Sequence, residues 1–247
     1  MARKIANEGN GHDLPEKIEY AIQRWNREEL AQIFRENLGD GKMTRFSLDQ
    51  VRVPLGGGTQ WTVPTLEGET MTAGLIGVVV AWGMPRAYWQ ERYTGESNPP
   101  DCTSENGLYG IGTPGGDCWT CPFSQWGSKI DQSGNPTRGQ ACSDLRFVFL
   151  LPRENLLPML IKFPPTSVGN FDAFKMRLTS AGLKLTDVEI SIKLQKVKTY
   201  SQAVSVVARR LSEEEQAAMI YYARMIAPAL REKIKQEVVI ETEEETV

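Results

Sequence analysis

Histidine is almost missing from this chain: His12 is the single one in 247 residues, and it lies in a leader of charges, glycines and asparagines. Triads and catalytic metals that need imidazole in the folded body are therefore excluded in practice. Long apolar runs are missing as well. The best, Leu75 to Trp82, is strand-sized, whereas spanning a bilayer takes ~20 residues. Met1 to Asp13 contain no apolar signal core, so the expectation is a soluble protein of a reducing cytoplasm with no membrane partner. No phosphate-binding Walker segment is present, since Gly41-Lys42 is followed by Met43, and Gly127 by Ser128 before Lys129. Strong charge of either sign is lacking too: the net charge is −3. A mildly basic middle and an acidic end do not establish a nucleic-acid partner by charge alone.

What is present is the composition of a globular protein, 40% hydrophobic and 24% charged, in a chain long enough to bury a core without disulfides. We expect a leader over residues 1–15, a single globular domain over 16–235 with a zinc-loop insertion at 94–142, and an acidic flexible tail over 236–247. Ile18, Ile22, Trp25, Leu30, Ile33, Phe34 and Leu38 recur at helical steps, which predicts an amphipathic helix over Glu16 to Leu38. Alternation then predicts strands over Arg45 to Val53, Gln60 to Val63, Met71 to Trp82, Leu145 to Leu151 and Leu156 to Phe163. A short helix follows over about Val168 to Ala181, capped by Thr166 or Ser167. Asp187 to Lys198 and Ser201 to Leu211 read as a hairpin, and Ser212 with Glu215 as the capping box of a last helix. The fold class is mainly β (α+β): an antiparallel OB-like barrel or sandwich with an inserted zinc-binding loop and flanking N- and C-terminal helices.

Residues 94–141 are rich in Gly, Pro, Ser, Asn and Asp, and a structureless stretch of that length in a domain needs something to tie it down. Cys102, Cys118, Cys121 and Cys142 supply it. The Cys118-x-x-Cys121 pair lets two thiolates reach one ion from a single turn, and the outlying two complete a tetrahedron around a structural Zn2+. Two disulfides, a redox pair at Cys118-Cys121, an iron-sulfur cluster and four unrelated buried cysteines are the competing readings. With four protein ligands a metal has no open position, so its role is to hold shape rather than to catalyse.

Single-stranded nucleic acid is recognised by rings that stack on bases and cations that neutralise phosphates. Trp82, Arg86, Tyr88, Trp89, Arg92 and Tyr93 form one such group, and Trp119, Phe123, Trp126, Lys129 and Arg138 a second, with Tyr109 beside them. Packing against a small metal site is the competing role for each ring. Lys193, Lys196, Lys198, Arg209 and Arg210 are candidates to line a groove, and the glutamates at 241–245 are candidates to compete with nucleic acid for a basic surface.

The segment Cys118-Trp-Thr-Cys-Pro-Phe-Ser-Gln-Trp-Gly-Ser128, then Arg138-Gly-Gln-Ala-Cys142 and the strand Leu145 to Leu151, resembles a family of bacteriophage and prophage proteins with a C-x-x-C-P-[FY]-x-x-[FW]-G-S segment and a later G-x-x-C. Arg86-Ala-Tyr-Trp89, Leu157-Pro-Met-Leu160 and Phe163-Pro-Pro-Thr-Ser167 extend the likeness over roughly residues 70–210. The resemblance implies single-stranded DNA binding in phage replication or recombination, in a host cytoplasm, with replication or recombination proteins as partners of the acidic tail. No enzymatic activity is expected. The alternatives are a zinc-stabilised scaffold and a metal-dependent nuclease built on Asp187, Glu189 and Lys193, which alternation places on one strand face.

Overall fold

The structure, a computed structural model, describes residues 19–38, 48–90, 99–131 and 133–240. At the N-terminal end, the helix expected over Glu16 to Leu38 is not continuous. Tyr20 is extended and buried, Ala21–Gln23 form a 3-10 turn, and helix α1 is Arg27–Leu38. The restart has a chemical cause. Asn26 Oδ1 accepts hydrogen bonds from the amides of Glu28 (2.9 Å) and Glu29 (3.0 Å), and Glu29 Oε2 accepts the Asn26 amide at 3.0 Å. This reciprocal capping box satisfies three of the amides that a helix start leaves free.

Strands β1 (Gln50–Arg52), β2 (Trp61–Thr65), β3 (Gly68–Thr72) and β4 (Gly74–Gly83) follow. The strand expected from Met71 to Trp82 is in fact two, because the chain turns at Leu66-Glu67 and β2 pairs back on β3. From β4 the chain passes through Met84-Pro85 into a small module: β5 (Arg86–Tyr88), β6 (Cys102–Ser104), β7 (Tyr109–Gly112), β8 (Gly116–Asp117) and β9 (Ser143–Asp144). It returns as β10 (Arg146–Leu151) and β11 (Met159–Phe163), then helix α2 (Pro165–Ser180), the hairpin β12 (Val188–Val197) and β13 (Tyr200–Arg210), and helix α3 (Glu213–Ile240). Pro165 occupies the first turn of α2, where a missing amide costs nothing, so Pro164-Pro165 both end the strand pair and open the helix.

The main sheet has the order β1-β11-β10-β4-β12-β13, antiparallel except for the parallel β1–β11 pair. It is an open sheet and not a closed barrel, which corrects the OB-like expectation. Every residue of β10 and β11 is buried, and successive residues of β10 enter different cores: Phe147, Phe149 and Leu151 join α3, while Val148 and Leu150 join α2. Helices on both faces bury what a barrel would enclose. On α3, Met219, Tyr222, Ile226, Leu230 and Ile234 form the buried stripe; on α2, Phe171, Phe174 and Leu178 do. Trp61 of the β2–β3 hairpin closes the α2 side, its indole N–H bonded to the Ile192 carbonyl at 3.0 Å.

A polar clamp crosses the α3 side. Glu189 is fully buried and accepts hydrogen bonds from Tyr20 (2.6 Å), Arg209 and, in bidentate form, Arg153. Arg209 also grips Glu215 with both Nη atoms, at 2.9 and 2.7 Å. Glu215 in turn accepts the Ser212 amide at 2.8 Å and donates its own amide to Ser212 Oγ, so the capping box read from the sequence is present and starts α3.

Candidate metal centre and its exposed face

The module hangs from two neighbouring strands. β4 and β10 pair in the main sheet, and their extensions β5 and β9 pair in the small one, whose order is β8-β7-β6-β5-β9. Residues 99–131 and 133–142 are therefore an excursion between adjacent strands, with short ladders of their own instead of an unstructured loop.

Its four cysteines line one cavity of about 10 Å³, roughly the space of a single water, together with Tyr88, Gly110, Phe123 and Ser124. None is disulfide-bonded. The local backbone accounts for the convergence. The amide of Cys118 bonds to the Leu108 carbonyl (2.9 Å), and that of Cys142 to the Phe123 carbonyl (2.9 Å), which ties the two ends of the loop to the central turn. Gly110 lets Cys102 approach: a Cβ there would stand 2.8 Å from Cys102 Sγ. Gly112, at φ 115°, passes so close to the Asp101 carbonyl that no side chain fits.

The polar residues of the Cys-x-x-Cys segment hold its shape. Ser124 Oγ lies 2.6 Å from the Cys118 carbonyl and 2.8 Å from that of Cys121. Gln125 Nε2 donates to the Trp119 carbonyl (2.9 Å), Gln140 Nε2 to the Ser124 carbonyl (2.5 Å), and Ser128 Oγ accepts the Ala141 amide (2.9 Å). Tyr88 and Phe123 stack on each other at 4.2 Å over the cysteine cavity.

Burial pushes the Cys142 thiol up to about 12, against the opposing charge of Arg86. Burial also raises Cys102, against a hydrogen bond from the Gly115 backbone. Four thiols that approach one another in a desolvated pocket are neutral on their own and are the donor set a soft dication takes as thiolates. Among the described residues no group of three or more His, Cys, Asp or Glu side chains stands at metal-holding geometry. The thiols share a cavity without closing on a point. In kind and placement they fit a four-thiolate site, with Cys102, Cys118, Cys121 and Cys142 as its ligands.

The expected nucleic-acid residues divide. Tyr88 is buried against Phe123, so these two rings are packing residues of the cavity. Arg86 forms an ion pair with Asp144 at 3.3 Å. Trp82 lies apart from the cysteines, in the main sheet beside α2, with Lys175 Nζ 3.4 Å from its ring centroid. Trp89 is half-buried, and Arg92 and Tyr93 lie outside the described residues. The others share one exposed surface. Trp119 is 86% and Trp126 78% exposed, although the backbone of Trp119 is pinned by Asp117 Oδ1 at its amide (2.7 Å) and by Gln125 at its carbonyl. The Lys129 amide bonds to the Gly139 carbonyl and the Thr137 amide to the Lys129 carbonyl, which sets Lys129 and Arg138, both exposed, on facing arms of one small loop.

The residues of the nuclease alternative do not assemble. Asp187 sits in a 3-10 turn and caps the Lys184 amide, Glu189 is engaged by two arginines, and Lys193 is exposed. Of the basic hairpin, Arg209 is held inside the clamp, while Lys193, Lys196, Lys198 and Arg210 are exposed. Reasoning from sequence missed the clamp, whose members Tyr20, Arg153, Glu189, Arg209 and Glu215 are scattered along the chain. Among the described residues, no helix is long and apolar enough to cross a membrane. No protein-family model matches the chain, and neither a curated protein nor a solved structure does.

Proposed function

We propose that this chain binds single-stranded nucleic acid, DNA in the first place, on a module whose shape depends on one structural zinc held by Cys102, Cys118, Cys121 and Cys142. The observation that carries it is the pair Trp119 and Trp126: two indoles almost wholly in solvent on a backbone fixed by side-chain hydrogen bonds. A ring exposed this way contributes nothing to packing, and a rigid mount lowers the entropy cost of stacking a base on it. Lys129 and Arg138 supply phosphate contacts beside them. The bound metal would supply rigidity alone, since four thiolates leave it no open position. Work in phage-type replication or recombination is the setting that the Cys118–Ser128 segment suggests.

Titration of the full chain with a fluorescent single-stranded oligonucleotide, followed by tryptophan quenching, tests the proposal. Nanomolar to micromolar affinity that falls as salt rises is expected; absence of both binding and quenching at ~50 mM salt, for DNA and RNA alike, overturns it. A second role is favoured by Leu108, Tyr109, Ile111 and Ile130, four exposed apolar side chains in the same module. An apolar surface of that kind suits a protein partner, and replication or recombination proteins are the proposed class, with the acidic end at 236–247 as a further contact. Pulldown with chains ending at 235 and at 247 separates the two surfaces.

A further inference from the structure

The charges between the module and α2 do not balance. Starting from the module, Arg86 pairs with Asp144 (3.3 Å), Asp144 with Arg146 (2.6 Å), Arg146 with Asp172 (2.7 Å) and Asp172 with Lys175 (2.8 Å). Three cations thus share two carboxylates, and most of these side chains are largely shielded from water. The far end of the chain has relief, because Lys175 lies on the ring of Trp82. The near end does not. Arg86 Nη1 is buried and has no hydrogen-bond partner among the described residues. A buried guanidinium donor left unsatisfied costs of order 1–3 kcal/mol, so such an atom calls for an explanation.

The explanation lies across the ladder. Arg86 is paired in register with Asp144, two residues after Cys142, and Tyr88 on the same strand is paired with Cys102. Arg86 is also the cation whose field reaches the Cys142 sulfur. Four thiolates around a dication carry a net charge of about −2, and a site of that charge in a desolvated pocket needs a counter-ion close by. We infer that Arg86 is that counter-ion: a positioning residue whose surplus charge and free Nη1 face the metal–thiolate centre and hold the metal in place. Asp144 and Arg146 orient the guanidinium and tie it through Asp172 to α2, so the metal centre and the main sheet share one electrostatic network. The inference rests on the zinc site proposed above.

The test is chelator competition on the full-length zinc-loaded chain, with cobalt(II) substitution as a spectroscopic check on the thiolate set. Arg86→Gln is expected to lose zinc about 10- to 100-fold more readily than the parent chain. Arg86→Lys, which keeps the charge, should stay within about threefold. Asp144→Asn increases the surplus of positive charge and should hold zinc as tightly as the parent or more so, whereas a merely structural role for the Arg86–Asp144 pair has Asp144→Asn and Arg86→Gln fail together. Retention by Arg86→Gln within about twofold of the parent overturns the inference. So does equal loss in Arg86→Lys and Arg86→Gln, or loosened zinc in Asp144→Asn; these last comparisons still decide if Arg86→Gln does not fold. A parent chain that holds no metal overturns the zinc site itself, an outcome distinct from all of these.

Discussion

Replacing Trp119 by alanine separates stacking on a ligand from packing within the fold. The ring is 86% exposed and its backbone is held by Asp117 and Gln125, neither of which needs the indole. Exposed substitutions of this kind change stability by within about 0.5 kcal/mol, which for a chain of this size shifts Tm by roughly 2 °C or less. Stacking one base on an aromatic ring contributes about 1–3 kcal/mol, or roughly 5- to 150-fold in Kd. Trp119→Ala should therefore weaken oligonucleotide binding by that factor and leave thermal unfolding in place. Phe123→Ala is the control with the opposite pattern: it removes the partner of Tyr88 above the cysteine cavity, a pair worth about 0.5–1.5 kcal/mol beyond the area it buries. It should lower stability and speed zinc loss. Fluorescence anisotropy at one fixed low salt concentration and differential scanning calorimetry on the same samples give both quantities. Unchanged affinity in Trp119→Ala, or a Tm drop as large as that of Phe123→Ala, refutes the assignment of Trp119 as a stacking platform.

The remaining predictions concern the frame. Glu189→Gln leaves Arg153 without its partner and should cost about 3 kcal/mol, the lower end for a broken buried pair because Arg153 is partly exposed; urea unfolding measures it. Burial pushes the Glu189 carboxyl up, yet Arg153, Tyr20 and Arg209 together hold it below the ordinary carboxyl range. The clamp's stabilisation is therefore complete above about pH 4.3 and drains away as pH falls further, and acid titration of Glu189→Gln should lack this component. Gly110→Ala sets a methyl 2.8 Å from Cys102 Sγ, so it should impair metal retention while the two cores of the main sheet unfold at their usual temperature.

Parts of this structure are written in short stretches of sequence and parts are not. Ser212 and Glu215 announce the start of α3, and Tyr200 to Arg210 alternate well enough to show a hairpin strand. Asn26 and Glu29 carry the same capping signal as Ser212 and Glu215, but the apolar periodicity that runs through them hides the break before α1. The open sheet had a visible sign too: Arg146 to Leu151 and Met159 to Phe163 are nearly unbroken apolar runs, as strands covered on both faces are, where a barrel strand alternates. For the module, the cysteine spacing does lead to four thiols on one cavity. What it could not tell was which aromatics serve the cavity and which face solvent. Tyr88 and Phe123 meet only because β5 and the Cys-x-x-Cys turn are brought together by pairing far from either residue. The same holds for the clamp around Glu189, whose partners are separated by 20 to 169 positions.

Metal content of the natively purified chain tests the central claim most directly. Elemental analysis combined with thiol titration should find one zinc per chain and four thiols that become reactive together when the metal is removed. A chain free of zinc and iron, whose thiols react singly with no metal released, would contradict the account.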